Sequence, residues 1–239
     1  EVARAIQRYD FLAVPVVDRE QRLVGIVTVD DVIDVIEQEA TRDLYAAGAV
    51  QAGDDDDYFQ SNLFTVARRR VVWLAVLLIA NSGTAAVIAA QDHVLKQVVL
   101  LAAFIPLLIG TGGNVGAQSS TVVIRGLSTQ RIQAMGSWKA IWRESVAGAL
   151  LGLLMVLVVV PWASYVSHSW IVAGAAGISL VAITTLAATA GAALPLLFDR
   201  IGLDPALMSA PFIATATDVA GVFIYLQTAS WLLVQFSPG

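Results

Sequence analysis

The chain has 239 residues, 57% of them hydrophobic and 14% charged, with mean hydropathy +0.74 and no cysteine. Soluble domains average about 45–50% apolar and about 25% charged residues, so this composition excludes an ordinary water-soluble globule, and the missing thiols exclude disulfides and thiolate metal sites. The net charge of −5 conceals a split, because residues 1–67 hold 14 of the 19 acids and 5 of the 14 basic residues, leaving that segment at −9 and the remainder at +4.

Residues 1–67 are polar and charged throughout, so no signal peptide is expected at the start. An acidic, water-facing segment beside an apolar one agrees with cation binding and equally with plain solubility. Glu1 to Tyr9 has helical spacing. Ala13 to Val17 is a short apolar run closed by the turn Asp18-Arg19-Glu20-Gln21, and Leu23 to Val29 is a second run. Thr28 or Asp30 can cap a helix beginning near Asp31, with Val32, Ile33, Val35 and Ile36 on one side. Helix–strand–turn–strand–helix is a fragment of an α/β unit, since one helix and two strands cannot close a core alone. Residues 41–67 continue helical and polar, interrupted by Gly48 and by Gly53 with Asp54 to Asp57, a run that reads as a solvated turn.

From Val71 onward the sequence is almost wholly apolar. At about 20 residues per crossing it divides into five spans, near 71–90, 97–124, 140–166, 170–197 and 205–236. With five spans, Arg68, Arg69, Arg70, Arg125, Arg131, Lys139, Arg143 and Arg200 all fall on one side and only Lys96 on the other. The positive-inside rule then predicts a cytoplasmic N-terminal part and an external C-terminus.

The fifth span contains Asp218, the only acid well inside any predicted span. A charge near the bilayer centre costs about 2.5–3.5 kcal/mol on insertion scales, so it is expected to face a wet cavity, a cation or a partner. A bond to a neighbouring helix is the plainer alternative. At helical spacing Asp218 shares a small, polar face with Pro211, Ala214, Thr215, Gly221 and Tyr225. In the second span Gly110, Gly113, Asn114, Ala117, Gln118 and Thr121 fall on one face. Asn114 and Gln118 offer neutral oxygens suited to a hard cation that sheds water reluctantly. Gly112 and Gly116, at small-xxx-small spacing, equally suit tight helix packing. Gly148 and Gly152, and Thr184, Thr185, Ala188 and Thr189, read mainly as packing, while His93 and His168 fall on predicted external loops. There is no Ser-His-Asp set, phosphate loop or His-rich motif, so no enzyme and no nucleic-acid partner is expected.

The run Gly112-Gly113-Asn114-Val115-Gly116-Ala117-Gln118-Ser119 and the later Pro211-Phe212-Ile213-Ala214-Thr215-Ala216-Thr217-Asp218-Val219-Ala220-Gly221 closely resemble the paired signatures of the MgtE magnesium channels and transporters. Residues 68–239 look like that family's whole five-span membrane domain, residues 1–40 like the back half of a second CBS domain, and residues 41–67 occupy the place of its connecting, plug-like helix. The implied fold is a mainly α-helical polytopic membrane protein: five transmembrane helices preceded by a partial α/β CBS domain and a connecting helix. The resemblance further implies a homodimer in the plasma (inner) membrane, with a pore on the two-fold axis lined by spans two and five. Asp218 of each subunit would form the cation site. Pore-lining positions would be Gly113, Asn114, Ala117, Gln118, Thr121, Pro211, Ala214, Thr215 and Gly221. Cytosolic Mg²⁺ would bridge acids such as Asp18, Asp30, Asp31, Asp34, Glu37, Glu39 and Asp43 and so close the pore. Gly25 to Asp31 resembles the CBS motif that contacts a nucleotide, which makes Thr28 and Asp31 candidates for ATP, although Thr28 equally suits a helix cap. Potential-driven Mg²⁺ influx is the leading reading. A coupled transporter or exporter of Mg²⁺, Co²⁺ or Mn²⁺ is the alternative, and a membrane-anchored CBS sensor is a third.

Overall fold

A computed structural model describes residues 2–48, 62–205 and 210–236. The Asp54–Asp57 turn expected from the sequence lies outside these residues, as does the side chain of Asp43. The chain forms two compact units, residues 1–46 and 47–239.

The first unit follows the expected order: α1 (Val2–Tyr9), β1 (Ala13–Val17), β2 (Leu23–Thr28) and α2 (Val29–Ala47). The strands pair antiparallel, with Ala13 opposite Thr28 and a bulge at Val16/Val17. Asp18 builds the turn between them. Its Oδ1 accepts from the amides of Glu20 and Arg22 at 2.9 and 2.8 Å, and its Oδ2 accepts from Arg22 Nε at 3.0 Å. Helix α2 starts two residues earlier than expected because Thr28 and Asp31 close its first turn. Asp31 Oδ2 accepts from the Thr28 hydroxyl at 2.8 Å and from its amide at 3.4 Å, the reciprocal arm of a capping box. No break falls at residue 40. With no Gly or Pro before Gly48, the helix continues through Ala47, so the expected start of the connecting segment lies within α2. Ile6 and Val32 are buried, whereas Leu12, Leu23, Val24 and Ile26 are exposed. One sheet layer with little covering it is what part of an α/β domain leaves.

The second unit contains α3 (Leu63–Ala90), α4 (Asp92–Gln97), α5 (Leu101–Ser128), α6 (Arg131–Met135), α7 (Ser137–Ser167), α8 (Trp170–Arg200) and α9 (Ala210–Phe236). Helices α3, α5, α7, α8 and α9 are each long and apolar enough to cross a bilayer, which matches the five expected spans. Two differences have local causes. Helix α3 begins at Leu63, capped by the Asn62 side chain on the Phe64 amide at 3.0 Å, so the arginine triplet lies within the helix rather than before it. The second span starts later than expected because α4 intervenes, held by an Asp92–Lys96 ion pair and anchored through buried Val94. The Asp92 carboxylate pushes the Lys96 pKa up.

Helix α8 is the centre of the unit and packs on α5, α7 and α9. Lipid is as apolar as leucine, so helices in a bilayer associate by close packing of small residues. The α8 sequence supplies them: Ala173, Ala175, Ala176, Gly177, Ala187, Ala188, Gly191 and Ala192 are all buried. Gly148 and Gly152 of α7 lie against Ala188 and Thr184 of α8, so the two packing motifs of spans three and four meet each other. Ser145 and Thr189 share a hydrogen bond of 2.7 Å across the same interface. Helix α3 packs chiefly on α9, with Trp73 stacked on Phe212 (centroids 6.4 Å apart) and Gly83 facing Val219.

Candidate functional site

The glycine-rich run of α5 presents two faces. Gly112 and Gly116 face inward, where any Cβ would collide with Ile183 and Ile213, respectively. The carbonyl of Gly116 reaches Gly191 of α8 so closely that no side chain fits there. The small-xxx-small pair therefore seats α5 against α8 and α9. On the opposite side of the helix, about half a turn away, Asn114, Gln118 and Thr121 are exposed. One helix thus carries a packing face and a polar face within two turns.

Between the polar face of α5 and the start of α9 lies an open cleft of about 510 Å³. Its walls are Pro106, Ile109, Gly110, Gly113, Asn114 and Ala117 on α5, with Ala210, Pro211, Ala214 and Asp218 on α9. The approach is close because Gly113 has no side chain: a Cβ there would stand 3.3 Å from the Ala214 Cβ and 3.9 Å from Oδ1 of Asp218. Asp218 is half-buried and accepts no hydrogen bond or ion pair among the described residues. The surrounding hydroxyls turn elsewhere: Thr215 and Thr217 donate to the carbonyls of Pro211 and Ile213, at 2.9 and 2.7 Å. A carboxylate inside an apolar span, facing a cleft and lacking a protein partner, has its acceptor oxygens free for a cation or water. Asn114 adds a neutral oxygen on the opposite wall.

The cleft gathers five of the nine pore-lining positions expected from the sequence, namely Gly113, Asn114, Ala117, Pro211 and Ala214, around Asp218. Gln118 and Thr121 continue the exposed face of α5 beyond it. Thr215 lies outside the lining, and Gly221 is buried against Ile183 of α8. Sequence reasoning missed Pro106 and Ile109 as wall residues. Their signal was present in the spacing, since Pro106 precedes Gly110 by one turn and Ile109 precedes Gly113 by one turn.

The candidate residues of the first unit are arranged differently. Asp18 is occupied by its turn, and Thr28 and Asp31 by each other. A nucleotide at Thr28 and Asp31 would have to displace that cap. Asp30, Asp34, Glu37 and Glu39 stand exposed on α2. Among the described residues no three acids or histidines gather into a metal-holding group.

These features define a multi-pass α-helical membrane protein with a carboxylate-bearing cleft between its second and fifth spans. A family model for MgtE divalent cation transporters matches residues 105–228, and a CBS-domain model matches residues 1–38. The chain belongs to the MgtE family. It is similar to proteins named magnesium transporter MgtE from Thermus thermophilus (43% identity over 98% of this chain), Enterococcus faecalis (38% over 99%) and Bacillus subtilis (38% over 96%). The chain spans about half the length of these relatives, 51%, 51% and 50% in turn.

Proposed function

We propose that this chain carries the conducting part of a magnesium channel, in which Mg²⁺ enters down the membrane potential past Asp218. The observation that carries the reading is the unpartnered Asp218 carboxylate in the α5–α9 cleft, opposite Asn114. Magnesium demands oxygen ligands in near-octahedral geometry and keeps several waters. A cleft with one carboxylate, an amide oxygen and room for water suits a partly hydrated ion better than a stripped one. The names of the relatives agree with this substrate.

A homodimer completes the proposed pore. Asn114, Gln118 and Thr121 form an exposed polar stripe in an apolar span, which among the described residues no helix covers. A second copy facing it would bring two such stripes and two Asp218 carboxylates around one axis. The basic residues at one end of the bundle favour a cytoplasmic N-terminal unit and an external C-terminus in the plasma membrane. About 100 mV, inside negative, contributes roughly 4.6 kcal/mol for a divalent ion, which suffices for uptake without a coupled ion. Cytosolic Mg²⁺ would regulate entry by neutralising the acidic face of α2, where Asp30, Asp34 and Glu37 recur at helical spacing.

The test is Mg²⁺ flux into liposomes under a clamped diffusion potential, with the intact protein and with D218A. Flux that follows the potential and disappears in the variant is expected. Flux that requires a proton or Na⁺ gradient would replace the channel by a coupled transporter, and undiminished flux in D218A would remove Asp218 from the path.

A further inference from the structure

Helix α6 and the first turns of α7 form a corner at one end of the membrane unit. Ile132 of α6 lies beneath Gly126 and joins Val123, Leu127, Ala140, Ala192 and Leu196 in one buried cluster. The corner turns at Gly136, whose φ of +93° is a backbone conformation that side chains resist. With Ala140 turned inward, α7 holds two pairs outward. Trp138 and Trp142 are 77% and 64% exposed, and Lys139 and Arg143, one turn apart, are exposed on the adjoining face. Neither cation has a hydrogen bond or ion pair among the described residues. Glu144, the acid on the same helix, is half-buried and lies about 100° round the helix from Arg143. Below the pairs, Val146, Leu150, Leu153 and Leu157 continue the same exposed side as an apolar stripe.

Indole rings favour the headgroup level of a bilayer, cations beside it attract anionic lipid, and the stripe lies where acyl chains run. We propose that this corner is a docking site for one anionic phospholipid, its phosphate held by Lys139 and Arg143 and its chains lying along α7. Charge complementarity selects the occupant: two cations without protein partners sit above an apolar track one lipid long. Arg125, Arg131 and Arg200 lie at the same end of the bundle but outside this alignment, so they serve as internal controls.

The test is native mass spectrometry of the full chain in detergent, after incubation with phosphatidylglycerol or phosphatidylcholine of matched acyl chains. Preferential retention of phosphatidylglycerol is expected. K139Q/R143Q should weaken it by about fivefold per cation, about 30-fold together, while R125Q/R200Q leaves it unchanged. Equal retention of the two lipids, or equal loss in both double variants, would overturn the proposal. A second measurement needs no variant: glycerol 3-phosphate, which lacks acyl chains, should fail to displace the bound lipid. Displacement by it would make the corner a plain phosphate site and refute lipid docking.

Discussion

The two faces of α5 are built from nearly the same small and polar residues and do opposite things. Gly112, Gly116, Ser119 and Ser120 are buried, while Gly110, Asn114, Gln118 and Thr121 are exposed on the opposite side of the helix. The difference lies in what stands across from each. The first face meets the small residues of α8 and the α9 side chains Ile213 and Thr217. The second meets the cleft and, beyond it, no further helix among the described residues. Composition alone identifies a special helix; only the angular position of each residue separates the packed face from the one that lines the cleft.

The sharpest way to test that division is to overfill the packed face. Gly191→Val would drive a side chain into the backbone carbonyl of Gly116, which cannot swing aside. Overpacking costs about 1–3 kcal/mol, and more where backbone must move, so loss of a monodisperse peak in size-exclusion chromatography is expected. D218N on the cleft face should do the reverse, abolishing Mg²⁺ flux while leaving the detergent melting temperature within a degree or two of the parent (roughly 0.5 kcal/mol). Gly112→Ala is intermediate. Its Cβ would press on the Ile183 methyl at 2.5 Å and the Thr217 methyl at 3.0 Å, so the melting temperature should fall, by about 1 kcal/mol of stability, with conduction retained in the folded fraction. Asn114→Ala should slow flux several-fold, on the order of one lost hydrogen bond of about 1 kcal/mol, without any change in melting. Thr121→Val, on the exposed face but beyond the cleft, should alter stability by less than about 0.5 kcal/mol. If Gly112→Ala blocked flux without lowering stability, or Asn114→Ala unfolded the protein, the two faces would have been assigned the wrong way round.

Much of this was legible from the sequence. Five spans followed from apolar runs of sufficient length, and Asp218 stood out because a lone carboxylate in such a run is costly. Asn114 could be placed on the face opposite Gly112 by helical spacing. Gly221 was expected on the Asp218 face but lies against Ile183, because residues three or four positions from Asp218 spread over a broad arc and α8 occupies one flank of it. The start of α3 was also hidden, since the arginine triplet reads as the edge of the span and the Asn62 cap ahead of it depends on a side-chain hydrogen bond. The acids of the first unit were visible as a charge pattern. That Asp18 and Asp31 are taken up by a turn and a cap depends on hydrogen bonds that composition does not reveal.

Helix α3 leaves almost all its surface outside the unit and leans on α9 through Trp73–Phe212 and Gly83–Val219. Among the described residues it is also the first helix of the second unit. In mechanical terms it is a crank with a single bearing. A pull or twist at residue 62 would reach the rest of the unit chiefly through Phe212 and Val219, two turns apart on one flank of the helix that carries Asp218.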